Sequence, residues 1–123
     1  MKQRLLLVDD DEVFLRPLHR TLELAGYEVV PVQSAEEALD TLKTEDVDLV
    51  LTDRRLPGMD GVEVIQQLRQ REFTGGVIII TGSHDEERLD EAWALGPQEV
   101  IGKPIDLEQL LTSIQLVLVC REC

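Results

Sequence analysis

The chain has 123 residues, 43% of them hydrophobic, 30% charged and only 3% aromatic, with a net charge of −13. That length suits one domain spanning residues 1–123 that buries roughly two thirds of its unfolded surface in a core of Leu, Val, Ile and Ala. The acidic balance excludes nucleic acid as a direct ligand, since phosphate binding needs a basic face, and equally excludes an anionic membrane surface.

The two cysteines, Cys120 and Cys123, stand at the C-terminus with no His or second Cys pair beside them. Neither a zinc site nor a disulfide framework is expected, and the thiols are read as free in a reducing compartment. Lys2 and Arg4 flank Leu5–Val8, a run too short for the apolar region of a signal peptide, and no segment approaches the length of a membrane span. The chain is expected to be cytoplasmic.

Arg4–Val8 is an apolar run bounded by charge and fits a strand buried on both faces. It ends in Asp9, Asp10, Asp11 and Glu12. A helical pattern follows on Val13, Phe14, Leu18, Leu22 and Ala25, with Gly26 as the residue that closes it and a bend expected at Pro17. Tyr27–Val32 is the second strand, and Pro31 marks it as an edge strand. Ser34 and Glu37 have capping-box spacing before a helix with Ala38, Leu39 and Leu42 inward. Leu49–Thr52 is the third strand and delivers Asp53. A loop through Pro57 and Gly58 leads to a helix capped at Asp60 and Glu63, with Val62, Ile65 and Leu68 inward.

Thr74, Gly75 and Gly76 read as a break. Val77–Ile80, dense in β-branched residues, is the fourth strand and ends at Thr81 and Gly82. Ser83 and Glu86 repeat the capping spacing before a helix with Leu89, Ala92 and Trp93, stopped by Gly96 and Pro97. Val100 and Ile101 form a short last strand before Gly102, Lys103 and Pro104. Asp106 caps a final helix with Leu107, Leu110, Leu111, Ile114 and Val117 inward. Strand and helix thus alternate five times, the pattern of an α/β parallel sheet with five helices on its two faces.

In a parallel sheet every strand ends on the same edge. The first strand therefore brings Asp9, Asp10 and Asp11 to that rim, the third Asp53, the fourth Thr81 and the fifth Lys103. Carboxylates about 4 Å apart repel by roughly 4 kcal/mol per pair at an effective dielectric near 20, unless a hard cation lies between them. An all-oxygen donor set suits Mg²⁺, which keeps several waters and binds one or two carboxylates plus a phosphate. Asp53 is then placed as a nucleophile, Thr81 as a hydroxyl donor and Lys103 as a second cation for a phosphoryl group. No His, Cys or further acid is suited to general-base work on outside substrates, so the set is arranged to accept a phosphoryl group and hold it. Taken singly each residue has a plainer role. Asp11 is expected as a helix cap, His84 as a surface residue, and Trp93 as partial core or a partner contact.

Four ordered motifs resemble the receiver domain of bacterial two-component response regulators: Val8–Asp11, Asp53 with Leu56–Gly61, Ile80–Gly82, and Lys103 with Pro104. The resemblance spans essentially the whole chain and implies the strand order 2-1-3-4-5. It implies that Asp10 binds Mg²⁺ directly and Asp9 through water, that Asp53 is both ligand and phosphoacceptor, and that the backbone carbonyl of Arg55 completes the metal site. It implies Thr81 and Lys103 on the phosphoryl oxygens and a cis bond between Lys103 and Pro104. Its implied partners are a sensor histidine kinase or histidine phosphotransfer protein upstream, and a downstream protein or fused output domain, with homodimerisation possible on phosphorylation. Such a domain assists its own phosphorylation and dephosphorylation and is not an enzyme acting on other substrates.

Two positions depart from the family pattern. Val100 stands where Tyr or Phe is common, so signal transmission is expected mainly through Thr81 and the loop Gly82–Asp85 into the fourth helix. Arg55, two residues past the phosphoacceptor, could pair with the phosphoryl group bidentately and slow dephosphorylation, or pair instead with a surface acid such as Asp60. The alternatives to a working receiver are a degenerate receiver acting as a binding module, a Mg²⁺-dependent phosphohydrolase and a flavin carrier. The second wants an Asp where Arg55 stands. The third wants a Gly- and hydroxyl-rich first loop with aromatics around the ring.

Overall fold

The computed structural model describes residues 2–53, 55–56, 59–81, 99–102 and 105–121. Its elements in chain order are β1 (Arg4–Val8), α1 (Glu12–Leu24), β2 (Glu28–Val32), α2 (Ala35–Thr44), β3 (Leu49–Asp53), β4 (Arg55–Leu56), β5 (Met59–Asp60), α3 (Gly61–Gln70), β6 (Gly76–Thr81), β7 (Glu99–Gly102) and α4 (Leu107–Arg121). The five longer strands form one sheet in the order β2-β1-β3-β6-β7, every pair parallel. This is the expected 2-1-3-4-5 order. The helix expected from Ser83 through Trp93, its stop at Gly96 and Pro97, His84 and the loop Gly82–Asp85 lie outside the described residues.

Alternation along the strands sends side chains to two cores. Leu5, Leu7, Leu49, Leu51, Ile78, Ile80 and Ile101 pack with Leu15, Leu18 and Leu22 of α1 and with Leu110, Ile114, Val117 and Leu118 of α4. Leu6, Val8, Val50, Val77 and Ile79 pack with Ala35 and Ala38 of α2 and with Val64, Ile65 and Leu68 of α3. The sheet is therefore covered on both faces, which is why β1 and β6 read as unbroken apolar runs rather than alternating ones. Pro31 sits in β2, an edge strand, where its missing N–H costs no ladder bond.

The caps formed largely as the sequence dictates. Gly26 has φ +103°, its N–H donates to the Glu23 carbonyl and the Tyr27 N–H to the Leu22 carbonyl, the paired bonds of a Schellman ending. Ser34 Oγ accepts from the Glu37 N–H at 3.1 Å, while Glu37 reaches back to the Gln33 N–H rather than to Ser34 itself. Asp106 accepts from Glu108 and Gln109 at the start of α4.

α1 runs from Glu12 to Leu24 with Pro17 inside it on the exposed side. Three expectations are corrected. Val13 and Ala25 face solvent, and Leu15 takes a place in the core instead; Leu107 too is partly exposed. The segment after Asp53 is a two-stranded ribbon, β4 with β5, that pairs Arg55 with Asp60 and Leu56 with Met59. Gly76 belongs to β6 rather than to a break: it is registered against Leu49, and its N–H donates to the Asp48 carbonyl at 3.0 Å.

Candidate functional site

The strand order reverses direction at β1. The chain leaves β1 for β2 on one side and enters β3 on the other, so the crevice outside the carboxyl ends of β1 and β3 is the switch point of the sheet. Asp9 follows β1 directly and Asp53 is the last residue of β3. One carboxylate oxygen from each of Asp9, Asp10 and Asp53 lies within 4.8 Å of the others. Asp9 and Asp53 are buried, 1% and 8% exposed, whereas Asp10 faces solvent. Each buried carboxylate sits beside a negative neighbour, an arrangement that costs free energy unless positive charge offsets it.

The backbone fixes these side chains. The Asp9 N–H donates to the Val32 carbonyl at 3.1 Å, which ties the residue to β2. Asp9 Oδ1 accepts from the Asp11 N–H at 2.9 Å. Asp11 turns away from the cluster and caps α1, accepting from Val13 and Phe14, as the sequence suggested. Asp53 is registered against Ile80, one residue short of Thr81. Thr81 ends β6, is 5% exposed, and is paired with Gly102 at the end of β7. Thr52, fully buried, donates its hydroxyl to the Asp53 carbonyl at 3.0 Å. That bond was not anticipated; a Thr before a strand-end acid is too common a pattern to single out.

Of the predicted site residues, Asp9, Asp10 and Asp53 are brought together and Thr81 ends the adjacent strand. Arg55 lies two residues past Asp53, where its backbone belongs to β4. Lys103 and Pro104, with their expected cis bond, fall outside the described residues. The donors fit a hard divalent cation: all are carboxylate oxygens, on two adjacent strand ends, with one solvent-facing member that leaves room for water. Away from this edge, burial pushes the Tyr27 phenol above its usual range.

Acids at the switch point of a 2-1-3-4-5 parallel sheet define a CheY-like α/β protein, a class that does its chemistry at the carboxyl edge. The family model of the response regulator receiver domain matches residues 5–115. The chain belongs to that family, a signalling domain of two-component systems. It is 32% identical over 118 residues to the alkaline phosphatase synthesis transcriptional regulatory protein PhoP of Bacillus subtilis, covering 96% of this chain and 49% of that one. It is 35% identical over 119 residues to the C4-dicarboxylate transport transcriptional regulatory protein DctD of Pseudomonas aeruginosa, covering 96% of this chain and 26% of that one. The chain thus spans about half or less of these curated relatives. In three dimensions it resembles the CheY-like response regulator receiver domain protein of Methanospirillum hungatei JF-1, with TM-score 0.93, 31% identity and 99% and 98% of the two chains covered. Among the described residues, no helix is long and apolar enough to cross a membrane.

Proposed function

We propose that residues 1–123 act as one cytoplasmic receiver domain that takes a phosphoryl group onto Asp53 from a phosphohistidine. The donor is a sensor histidine kinase or a histidine phosphotransfer protein. The observation that carries this reading is the buried Asp53 carboxylate at the switch point, within 4.8 Å of Asp9 and Asp10. In the reaction an Asp53 oxygen attacks phosphorus, the P–N bond to the donor imidazole breaks, and the imidazole, protonated by solvent on its other ring nitrogen, leaves with the bonding pair as the neutral ring. The product is a mixed anhydride on Asp53.

Asp10 and Asp53, the backbone carbonyl of Arg55, and Asp9 through water would hold Mg²⁺. Bound there, the ion offsets the carboxylate charge and that of the incoming phosphoryl group. Thr81 donates its hydroxyl to one phosphoryl oxygen and Lys103 pairs with another. A hydroxyl at the end of β6, next to β7, can transmit its movement to the strand that carries Val100 and Ile101. Val100 is half-buried against the α2–α3 core. A branched aliphatic side chain cannot swing out as an aromatic ring could. The signal therefore passes mainly through Thr81 and the loop after it into the helix predicted from Ser83, and reaches a downstream protein or fused output domain.

The test is incubation with acetyl phosphate and Mg²⁺, read by intact mass. The wild type is expected to gain one phosphoryl group and Asp53→Asn none. An adduct that persists in Asp53→Asn overturns the assignment. No adduct in the wild type, with or without Mg²⁺, moves the domain to a plain protein-binding role.

A further inference from the structure

The sheet register lines up one residue from each long strand near the carboxyl edge. Val32 of β2 stands beside Val8 of β1, Val8 beside Thr52 of β3, Thr52 beside Ile79 of β6, and Ile79 beside Val100 of β7. Val32, Val8, Ile79 and Val100 belong to the core under α2 and α3. All five residues are β-branched, a shape that packs well on a pleated surface. Thr52 alone of the five carries a hydroxyl, and it is fully buried. Val has nearly the same shape and would bury a methyl group in place of a polar one. Packing alone therefore asks for Val at position 52, and the reason for the hydroxyl must lie in what it bonds.

That bond goes to the next residue: the Thr52 hydroxyl donates to the Asp53 carbonyl at 3.0 Å. The ring it closes runs through χ1 of Thr52 and through φ and ψ of Asp53. The branch at Cβ and the packed neighbours on either side restrict that χ1. Holding φ of Asp53 fixes the direction of its Cα–Cβ bond, and so where the carboxylate starts from. Holding ψ fixes how the chain leaves β3 toward Arg55. Asp53 has need of such a hold because it stands at the limit of the ladder. The registered pairs of β1 with β3 stop at Val8 and Thr52, whereas those of β3 with β6 continue to Asp53.

We propose that Thr52 is a positioning residue for phosphoryl transfer. Its hydroxyl holds the Asp53 backbone so that the carboxylate stays aimed into the cluster with Asp9 and Asp10, within 4.8 Å of both. It touches no reacting atom and acts through Asp53. The proposal rests on the phosphoacceptor reading and adds to it a residue that works from inside the core. Small misplacements of a reacting group are costly in rate, so a bond that restrains the attacking carboxylate shows in the rate of attack.

The test is the rate at which acetyl phosphate phosphorylates the full chain at saturating Mg²⁺, followed by intact mass across donor concentrations, alongside the urea unfolding midpoint. Thr52→Val removes the hydroxyl and keeps the shape. It is expected to lower the limiting rate about tenfold at an unchanged half-saturating donor concentration, with a midpoint close to the wild type's. Thr52→Ser keeps the hydroxyl and removes the methyl group from the row between Val8 and Ile79. It is expected to recover most of the rate and to unfold at lower urea. Rate and stability then move in opposite orders across the two variants, which a purely structural role would not produce. The proposal is overturned if Thr52→Val is phosphorylated as fast as the wild type, or if Thr52→Ser is as slow as Thr52→Val. It is equally overturned if Thr52→Val loses rate only together with a large fall in its midpoint, which would assign the hydroxyl to the fold. A wild type that gains no adduct overturns the phosphoacceptor reading and this role with it, and so is told apart from the other outcomes.

Discussion

Asp9 and Asp10 are adjacent in sequence and opposite in environment. Asp9 is buried and oriented by the Asp11 N–H, so its position is set before any ligand arrives. Asp10 faces solvent and can adjust to an ion and its waters. Arg55 carries the timing question. Its backbone pairs with Asp60 across the β4–β5 ribbon. A phosphoryl group on Asp53 and a surface acid such as Asp60 are the two partners proposed for its guanidinium. The phosphoryl group carries more charge and accepts bidentate pairing, so it is expected to win and to shield the anhydride from water. Arg55→Ala should then shorten the aspartyl-phosphate lifetime about tenfold, equivalent to losing roughly 1.4 kcal/mol of charged hydrogen bonding. The decay of the mass adduct after removal of acetyl phosphate measures it. An unchanged half-life would assign Arg55 to Asp60.

Gly76 shows how an element's packing can hide from its sequence. Two consecutive glycines look like punctuation, yet the second is the first residue of β6, lying against Val117 of α4 and Leu49 of β3. Replacing it with Ala forces Val117 to move, because the added methyl would lie 2.5 Å from Val117 Cγ1 and 3.2 Å from Leu49 Cδ1. A β-branched side chain has few rotamers to move into. Gly76→Ala is expected to cost about 1–3 kcal/mol by urea unfolding. Adding Val117→Ala should make the pair less destabilised than the sum of the two single changes. Strict additivity, or no cost for Gly76→Ala alone, would remove this account.

The same physics sorts what the residues announced from what they did not. β1, β3 and β6 were legible because strands covered on both faces leave long apolar runs. The caps at Ser34 and Asp106 were legible because they are local. Asp9, Asp10, Asp53 and Thr81 could be placed on one rim because parallel topology puts all strand ends together. β4 and β5 carry two residues each, too few for any period to register. The inner face of α4 was harder, since apolar residues surround it: Leu107 was expected inside and is partly exposed, while Leu118, outside the expected inward set, is buried.

The charge of the whole molecule links stability to the site. At −13 the folded chain repels itself, and the cluster of Asp9, Asp10 and Asp53 concentrates that repulsion at one partly buried point. Two kinds of cation should relieve it to different degrees. Na⁺ screens the diffuse charge over the surface, within a Debye length of about 8–10 Å. Mg²⁺ does so too and, on the proposed reading, also occupies the cluster; a ligand bound only to the folded state adds RT ln(1 + [L]/Kd), about 1.4 kcal/mol at tenfold excess over Kd. At matched ionic strength, Mg²⁺ is therefore expected to raise the melting temperature several degrees above the NaCl value. Asp10→Asn separates the two effects. Without Mg²⁺ it should melt higher than the wild type, because one of three clustered charges is gone. With Mg²⁺ it should lose most of the extra gain, because a ligand is gone as well. Calorimetry on both proteins in the two salts decides the matter: equal responses to Mg²⁺ and NaCl in the wild type would mean that the cluster binds no cation and is tolerated by the fold alone.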